Sequence, residues 1–261
     1  MPATYAHYTF GQQVLNQLDG ELKRIVSNNL DLFHIGLHGP DILFYYKPLN
    51  SNTINKAGHE LHRLSAKIFF EKSKNIINTC NNSEGACAYI IGYICHFMLD
   101  SECHPYIRKH ESDKLTHSEI ETEFERMLME KNNLEPLSFR PTSHIIPKSD
   151  SAKCISWFYE GISMKEILSA LKSMKLYLNI LVAPGYVKRR LIISALKLSG
   201  NYYGMIGLIM NYEKNPECIQ INKNLYELYS NVIVPTVNLV NEFYENLNNI
   251  RINERFNRTF G

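Results

Sequence analysis

Several features that mark particular classes of protein are missing from this sequence. No apolar run approaches the roughly 18–20 residues needed to span a bilayer, so no membrane-spanning helix is expected. The formal net charge is only +2, which does not point to nucleic acid or an anionic membrane as a partner. None of the six cysteines belongs to a C-x-x-C pair. A chain of this size does not need disulfides, so we expect reduced, mostly buried thiols.

The first residues also lack the marks of an export signal. Residues 1–5 contain no basic segment followed by an apolar one. Together with the reduced cysteines, this predicts a cytoplasmic protein. We expect at most a peripheral membrane contact, no stable association with nucleic acid and no obligate protein partner.

Alternation of apolar and polar residues, which is typical of strands, is rare as well. Apolar residues instead recur at spacings of three and four through most of the chain. This predicts an all-α protein of seven or eight helices in a single domain, 1–261. The helices are predicted over residues 12–30, 54–77, 83–104, 117–129, 164–182, 187–212 and 216–247. The third should end near His104-Pro105, because proline disfavours helix in the preceding residue. Residues 132–150 contain three prolines and predict a surface loop.

The spacing of histidines and carboxylates carries the chemical information. His96, Asp100 and His104 are each four residues apart in the third predicted helix. Each step of four turns only about 40° around the helix, so the three side chains share a face. His117 and Glu121 repeat the spacing in the fourth helix. Burial of the Asp100 carboxylate in an apolar segment costs free energy unless the carboxylate is paired or bound to a metal. The combined pattern of histidines and carboxylates therefore favours a metal site over an ordinary helix face.

Other segments offer further donors. Gly39-Pro40 predicts a turn that presents Asp41 from a loop. His59 and His62 share a face of the second helix, and His7 precedes the first long helix. We interpret three histidines as ordinary surface or loop residues, namely His34, His110 and His144. The role of His38 stays open.

In their order along the chain, these donors resemble those of the bacterial zinc-dependent phospholipases C. That all-α family holds three zinc ions, and its fold is shared with fungal zinc-dependent single-strand nucleases. The family pattern is a histidine, an aspartate, a histidine, His-x-x-x-Asp, a further histidine and His-x-x-x-Glu. The matching residues are His7, Asp41, His62, His96, Asp100, His104, His117 and Glu121. The resemblance covers about the first half of the chain.

The resemblance implies a zinc-dependent phosphodiester hydrolase. A metal-bound hydroxide would attack phosphorus in a phospholipid or another phosphodiester, and Asp41 would orient or deprotonate the attacking water. The implied ligands are Asp41, His62, His96 and Asp100 for one zinc, His104, His117 and Glu121 for a second, and His7 with Asp100 for a third. His62 is preferred to His59.

Three departures from the family pattern shape these expectations. Exported members begin with a metal-binding tryptophan, whereas the only tryptophan here is Trp157 and His7 lies five residues after Pro2. The third site is therefore expected to be altered or missing, which leaves two or three zinc ions. The gap from Asp100 to His104 is shorter than in the family, and we expect no membrane-docking β-sandwich of the kind that some toxin members carry. Alternative interpretations are a zinc-dependent nuclease or nucleotidase on the same scaffold, or a non-catalytic helical metal-binding protein. Iron or manganese is an alternative to zinc.

Overall fold

The computed structural model describes residues 4–261, and within this range the chain forms α-helices, short 3-10 helices and no strand. The first seven α-helices are α1 (Thr4–Gln17), α2 (Gly20–Asn28), α3 (Leu30–Gly36), α4 (Thr53–Arg63), α5 (Ala66–Thr79), α6 (Ser83–His110) and α7 (His117–Lys131). The others are α8 (Ser149–Ser156), α9 (Met164–Leu181), α10 (Tyr186–Leu198), α11 (Tyr202–Met205), α12 (Cys218–Asn231) and α13 (Ile233–Glu245). Short 3-10 helices cover Gly39–Tyr45, Ile206–Leu208 and Glu254–Asn257. The all-α prediction is confirmed.

Helix boundaries differ from the sequence prediction where the chain turns within an apolar pattern. The predicted helix 12–30 is divided among α1, α2 and α3, and the predicted helix 54–77 is interrupted between α4 and α5. At that second break, the backbone N–H of Ala66 donates to the carbonyl of Arg258. In a continuous helix this N–H would donate to a carbonyl of the same helix, whereas here it donates to a distant segment. The local sequence pattern gives no sign of this long-range contact.

The predicted end of the third helix near Pro105 is wrong. Helix α6 continues through Pro105 to His110. Pro105 is exposed, so its ring points away from the packed interior. The local preference against helix before proline is therefore overridden by the burial of the helix on its other side.

Helix α6 forms the centre of the structure. It packs against α1, α2, α3, α5, α7, α8, α12 and α13. Its side chains are buried continuously from Gly85 to Ser101. A helix that is apolar around its whole circumference must be enclosed by other elements, and α6 meets this condition. The polar residues of this helix are therefore held in a dry, rigid environment.

A close crossing places α3 directly on α6. A Cβ atom on Gly36 would lie 2.1 Å from the carbonyl oxygen of Tyr89, and one on Gly92 would lie 2.2 Å from that of Phe33. Only glycine at both positions allows this contact between backbones. The crossing brings the chain that follows α3, which contains Asp41, to the middle of α6.

Among residues 4–261, no helix is long and apolar enough to cross a membrane. The expectation that no export signal is present concerns residues 1–5, of which 1–3 lie outside the described residues. Cellular location stays a prediction.

Candidate metal centre

All eight donors predicted from the sequence converge on one side of α6. They come from five elements, namely α1, the 3-10 helix Gly39–Tyr45, α4, α6 and α7. They form three adjoining groups, within each of which the donor atoms lie no more than 4.8 Å apart. The groups are Asp41, His62 and His96; His7, His96 and Asp100; and His104, His117 and Glu121.

The first group joins the turn after α3 to α4 and α6. Nε2 of His62 lies 2.9 Å from Oδ1 of Asp41, and Nε2 of His96 lies 3.1 Å from Oδ2 of Asp100. His96 is fully buried, and Asp41 and Asp100 are nearly so. His96 therefore connects this group to the next.

The second group is centred on Asp100. Its Oδ1 lies 3.1 Å from Nε2 of His7 and 3.4 Å from Nε2 of His104. The rings of His7 and His96 are stacked, with centroids 4.4 Å apart. The two oxygens of Asp100 therefore face imidazoles from all three groups, as a bridging carboxylate would.

The third group joins α6 to α7. Oε1 of Glu121 lies 3.3 Å from Nε2 of His104 and 3.2 Å from Nε2 of His117. Glu121 is buried, whereas the His117 side chain is 26% exposed. This group is thus the one most open to solvent.

Outer hydrogen bonds fix the orientation of three imidazoles. Nδ1 of His62 donates to the carbonyl of Gly58 at 2.7 Å, and Nδ1 of His104 donates to the carbonyl of Phe260 at 2.9 Å. Nδ1 of His117 donates to the carboxylate of Glu111 at 2.6 Å. With the proton on Nδ1, a neutral ring presents the lone pair of Nε2 to the centre, the usual arrangement for a metal-ligating histidine.

The donor set fits divalent metal ions. Among the described residues, ten buried side-chain nitrogen and oxygen atoms lack a hydrogen-bond partner, and eight of them belong to this cluster: Nδ1 of His7, Oδ1 of Asp41, Nε2 of His62, both ring nitrogens of His96, Oδ2 of Asp100, Nε2 of His117 and Oε2 of Glu121. Buried polar atoms are costly without partners. A nitrogen lone pair and a carboxylate repel each other unless a cation lies between them. Imidazole together with carboxylate is a ligand set that zinc accepts.

The electrostatics of the third group agree with this interpretation. Burial acts to raise the pKa of Glu121, but the neighbouring imidazoles of His104 and His117 outweigh it and hold the pKa well below its usual range. Burial acts to lower the pKa of His117, but Glu121 and Glu111 outweigh it and raise that pKa to about 9. The carboxylates thus favour positive charge at these nitrogens, whether from a proton or from a metal.

A cleft of about 780 Å³ opens over the cluster. His62, His104 and His117 line it together with Arg63 and Arg108. Two of the three groups can therefore be reached from solvent through this cleft, which is large enough for a small ligand.

The structure distinguishes the two histidines of α4. His62 faces Asp41, whereas His59 is exposed and its ring lies against Phe44 with centroids 4.4 Å apart. His144 lies in a loop, as interpreted, but it is not an ordinary surface residue. It is buried, and its Nε2 lies 2.8 Å from Nε2 of His38.

Sequence reasoning did not find the outer partners of the imidazoles. Glu111 lies in the connection between α6 and α7, and Phe260 lies at the far end of the chain. Two of the three acceptors are backbone carbonyls, which leave no signal in residue identity. Arg108, which lines the cleft, could have been found from the sequence, because it lies four residues after His104 and shares its helix face.

Comparison with known proteins agrees with the site. A family model described as zinc dependent phospholipase C matches residues 6–175, well over half of the chain. The match includes all eight donors and extends into α9, beyond the first half that the sequence pattern covered. No curated protein and no solved structure matches the chain significantly.

Proposed function

The chain belongs to the zinc-dependent phospholipase C family, and from this membership and the geometry of the centre we propose that it is a zinc-dependent phosphodiester hydrolase of phospholipase C type. The observation that carries the proposal is the convergence of eight donors, six of them buried and most with an atom that lacks a partner, beneath an accessible cleft. A structural zinc site is typically closed with four ligands, whereas a catalytic one keeps a position open.

Each group of donors would hold one metal. Asp41, His62 and His96 would bind the first, with Asp100 beside His96. The second would be held by His104, His117 and Glu121, and the third by His7 with Asp100. We propose two or three zinc ions in all. Bound there, they would lower the pKa of water and neutralise charge on the phosphate oxygens.

The residues of the chain would organise the reaction around these ions. Asp41 is buried and its backbone N–H donates to the carbonyl of His38, so its position is fixed by the turn that carries it. Burial acts to raise the pKa of Asp41, but the neighbouring His96 and His62 outweigh it and lower that pKa. We assign to Asp41 the orientation of the attacking water, as an ionised acceptor. The enclosing helices would exclude bulk water from the far side of the centre.

The cleft would position the phosphodiester. His62 and His117 are the donors with side chains most open to it, 14% and 26% exposed. Substrate would therefore approach from their side, while Asp100 stays enclosed beneath. This arrangement favours a phospholipid headgroup or another small phosphodiester, met through at most a peripheral membrane contact and with no stable nucleic-acid or protein partner.

Metal analysis and a substrate panel test the proposal. Purified protein is examined for zinc, iron and manganese by elemental analysis, then assayed on phosphatidylcholine vesicles, a chromogenic phosphodiester and single-stranded DNA. We expect two or three zinc ions per chain and hydrolysis of the first two substrates. Hydrolysis of DNA alone would instead support the nuclease alternative. Bound metal without turnover of any substrate would support the non-catalytic one.

A further inference from the structure

Two arginines in the cleft have no acidic partner. Arg63 directly follows His62 at the end of α4, and Arg108 lies one turn beyond His104 on α6. Both line the cleft and both are exposed. Within residues 4–261, neither guanidinium forms an ion pair or a side-chain hydrogen bond. Two free positive charges therefore stand at the mouth of the candidate centre.

Some arginines elsewhere on the surface do have acidic partners. Arg24 pairs with Glu84 at 2.8 Å, and Arg258 pairs with Glu102 at 2.7 Å. Unpaired guanidinium groups beside a cleft favour a ligand that supplies the missing anion, because carboxylate and phosphate oxygens match the donor geometry of arginine.

The cleft is poorly suited to a cationic headgroup. Among the described residues that line it, none carries a carboxylate side chain. The one benzene ring among these residues, that of Phe44, packs against His59 and His62, with centroids 4.4 and 5.2 Å away. Recognition of a quaternary ammonium group needs an open aromatic face or an acid, and the described lining residues include no acidic side chain and no aromatic ring without ring contacts of its own.

We propose that the cleft selects phosphodiesters whose headgroup carries a second anionic group, a carboxylate or a phosphate monoester, over those that carry choline. Arg63 and Arg108 bind that second group while the metal centre takes the scissile diester. This specificity rests on the proposed function of the same site. The volume of about 780 Å³ suits a small headgroup rather than a polynucleotide, which needs an extended basic groove with aromatic side chains.

Binding of three small ligands tests the selection without turnover. On zinc-loaded protein, calorimetry compares 3-phosphoglycerate, glycerol 3-phosphate and phosphocholine, which share a phosphate monoester and differ in carrying an added anion, no added charge or an added cation. We expect 3-phosphoglycerate to bind at least about tenfold more tightly than phosphocholine, with glycerol 3-phosphate between them. Equal affinities, or tighter binding of phosphocholine, would overturn the proposal.

Substitution of each arginine locates the effect. Arg63→Gln and Arg108→Gln should each weaken 3-phosphoglycerate about three- to tenfold and leave phosphocholine almost unchanged. Lys109→Gln is the matched control. It removes the same charge from an exposed neighbour of Arg108 that does not line the cleft. An equal loss in the lysine variant would show that only the overall charge acts, and would contradict the proposal.

Hydrolysis distinguishes lipid from soluble substrates. Vesicles of phosphatidylserine and of phosphatidylcholine are compared with soluble glycerophosphoserine and glycerophosphocholine in wild type and the three variants. A serine-over-choline preference that both arginine variants lose supports the proposal, and its presence in vesicles or in solution identifies the source. The proposed specificity is refuted if diesters are hydrolysed without this preference, or if the arginine variants lose only hydrolysis of single-stranded DNA. In either case the proposed hydrolase function is still supported. If no diester is hydrolysed at all, the proposed function fails first.

Discussion

Gly39 lies against the imidazole ring of His96 with no room for a side chain between them. A Cβ atom on Gly39 would be 2.3 Å from Cδ2 of His96, and the backbone there has a φ of 46°. The left-handed conformation favours glycine, and the contact leaves no room for a Cβ atom. Because Gly39 has no side chain, the turn that presents Asp41 can lie directly against the candidate metal centre.

Gly39→Ala should therefore disturb the first group of donors as well as the fold. We expect the free energy of unfolding to fall by more than the about 1–2 kcal/mol typical of a side chain in the left-handed region, because His96 must also move. Metal content should fall with it. Thermal or chemical denaturation and elemental analysis measure the two effects.

Gly20→Ala is the matched control for that variant. Gly20 has a φ of 48°, but a Cβ atom there would meet nothing within 4 Å. It should lose only the about 1–2 kcal/mol of backbone strain and keep its metal. Equal losses of stability and metal in the two variants would show that the contact with His96 is unimportant.

Glu111→Gln tests the outer hydrogen bond to His117. The amide can still accept from Nδ1, but it no longer stabilises positive charge on the ring, so we expect metal affinity to fall about tenfold. Competition with a chelator measures this. Asp113→Asn, which removes a nearby exposed carboxylate without a contact to His117, should leave the affinity unchanged. If Glu111→Gln also binds metal as wild type does, Glu111 has no role at the centre.

Repeated spacing made most of the centre visible in the sequence. Steps of four residues identify the shared face of His96, Asp100 and His104 whatever surrounds the helix, because the periodicity of an α-helix fixes it. Family order then supplied the remaining donors, and position within the second helix led us to prefer His62 to His59. The sequence could not show that His96 belongs to two groups, since that depends on how closely α1 and the turn after α3 approach α6.

Burial by distant segments explains what the sequence did not reveal. His144 is in a loop rich in proline, and its partner His38 is 106 residues away, so nothing local distinguishes it from a surface histidine. Helix α6 passes through Pro105 for a similar reason, because the packing of its neighbours outweighs a local preference. The prediction missed the burial of His144 and the true end of α6 because both depend on contacts between distant segments, which the helical pattern does not contain.

His144 should make the protein sensitive to acid. Burial, with smaller contributions from His34 and Lys175, lowers the pKa of His144 to about 3 from a model-peptide value of 6.5. The unfolded chain therefore binds a proton below pH 6.5 that the folded chain does not, so stability falls as the pH decreases from about 6.5 toward 3. At pH 5 this one group accounts for about 2 kcal/mol.

The substitution His144→Gln removes this contribution to the pH dependence of stability. At pH 8 the variant should be less stable than wild type, because the hydrogen bond to His38 is weakened. Between pH 8 and pH 5 the difference should narrow by about 2 kcal/mol, since only wild type carries the acid penalty of His144. Urea denaturation of both proteins across this range measures it. A constant difference would mean that His144 takes up its proton equally in the folded and unfolded chains.

Asp100→Asn tests the proposed centre most directly. The substitution keeps the size of the side chain but removes the negative charge that faces His7, His96 and His104. Repulsion between bound cations would then be uncompensated, so we expect the loss of at least one metal per chain and a fall in kcat/KM of about 100-fold or more. Glu84→Gln removes a charge from an exposed position of the same helix and should keep metal and activity. Full metal content together with full turnover in Asp100→Asn would refute the bridging role, because within residues 4–261 no other carboxylate faces all three groups.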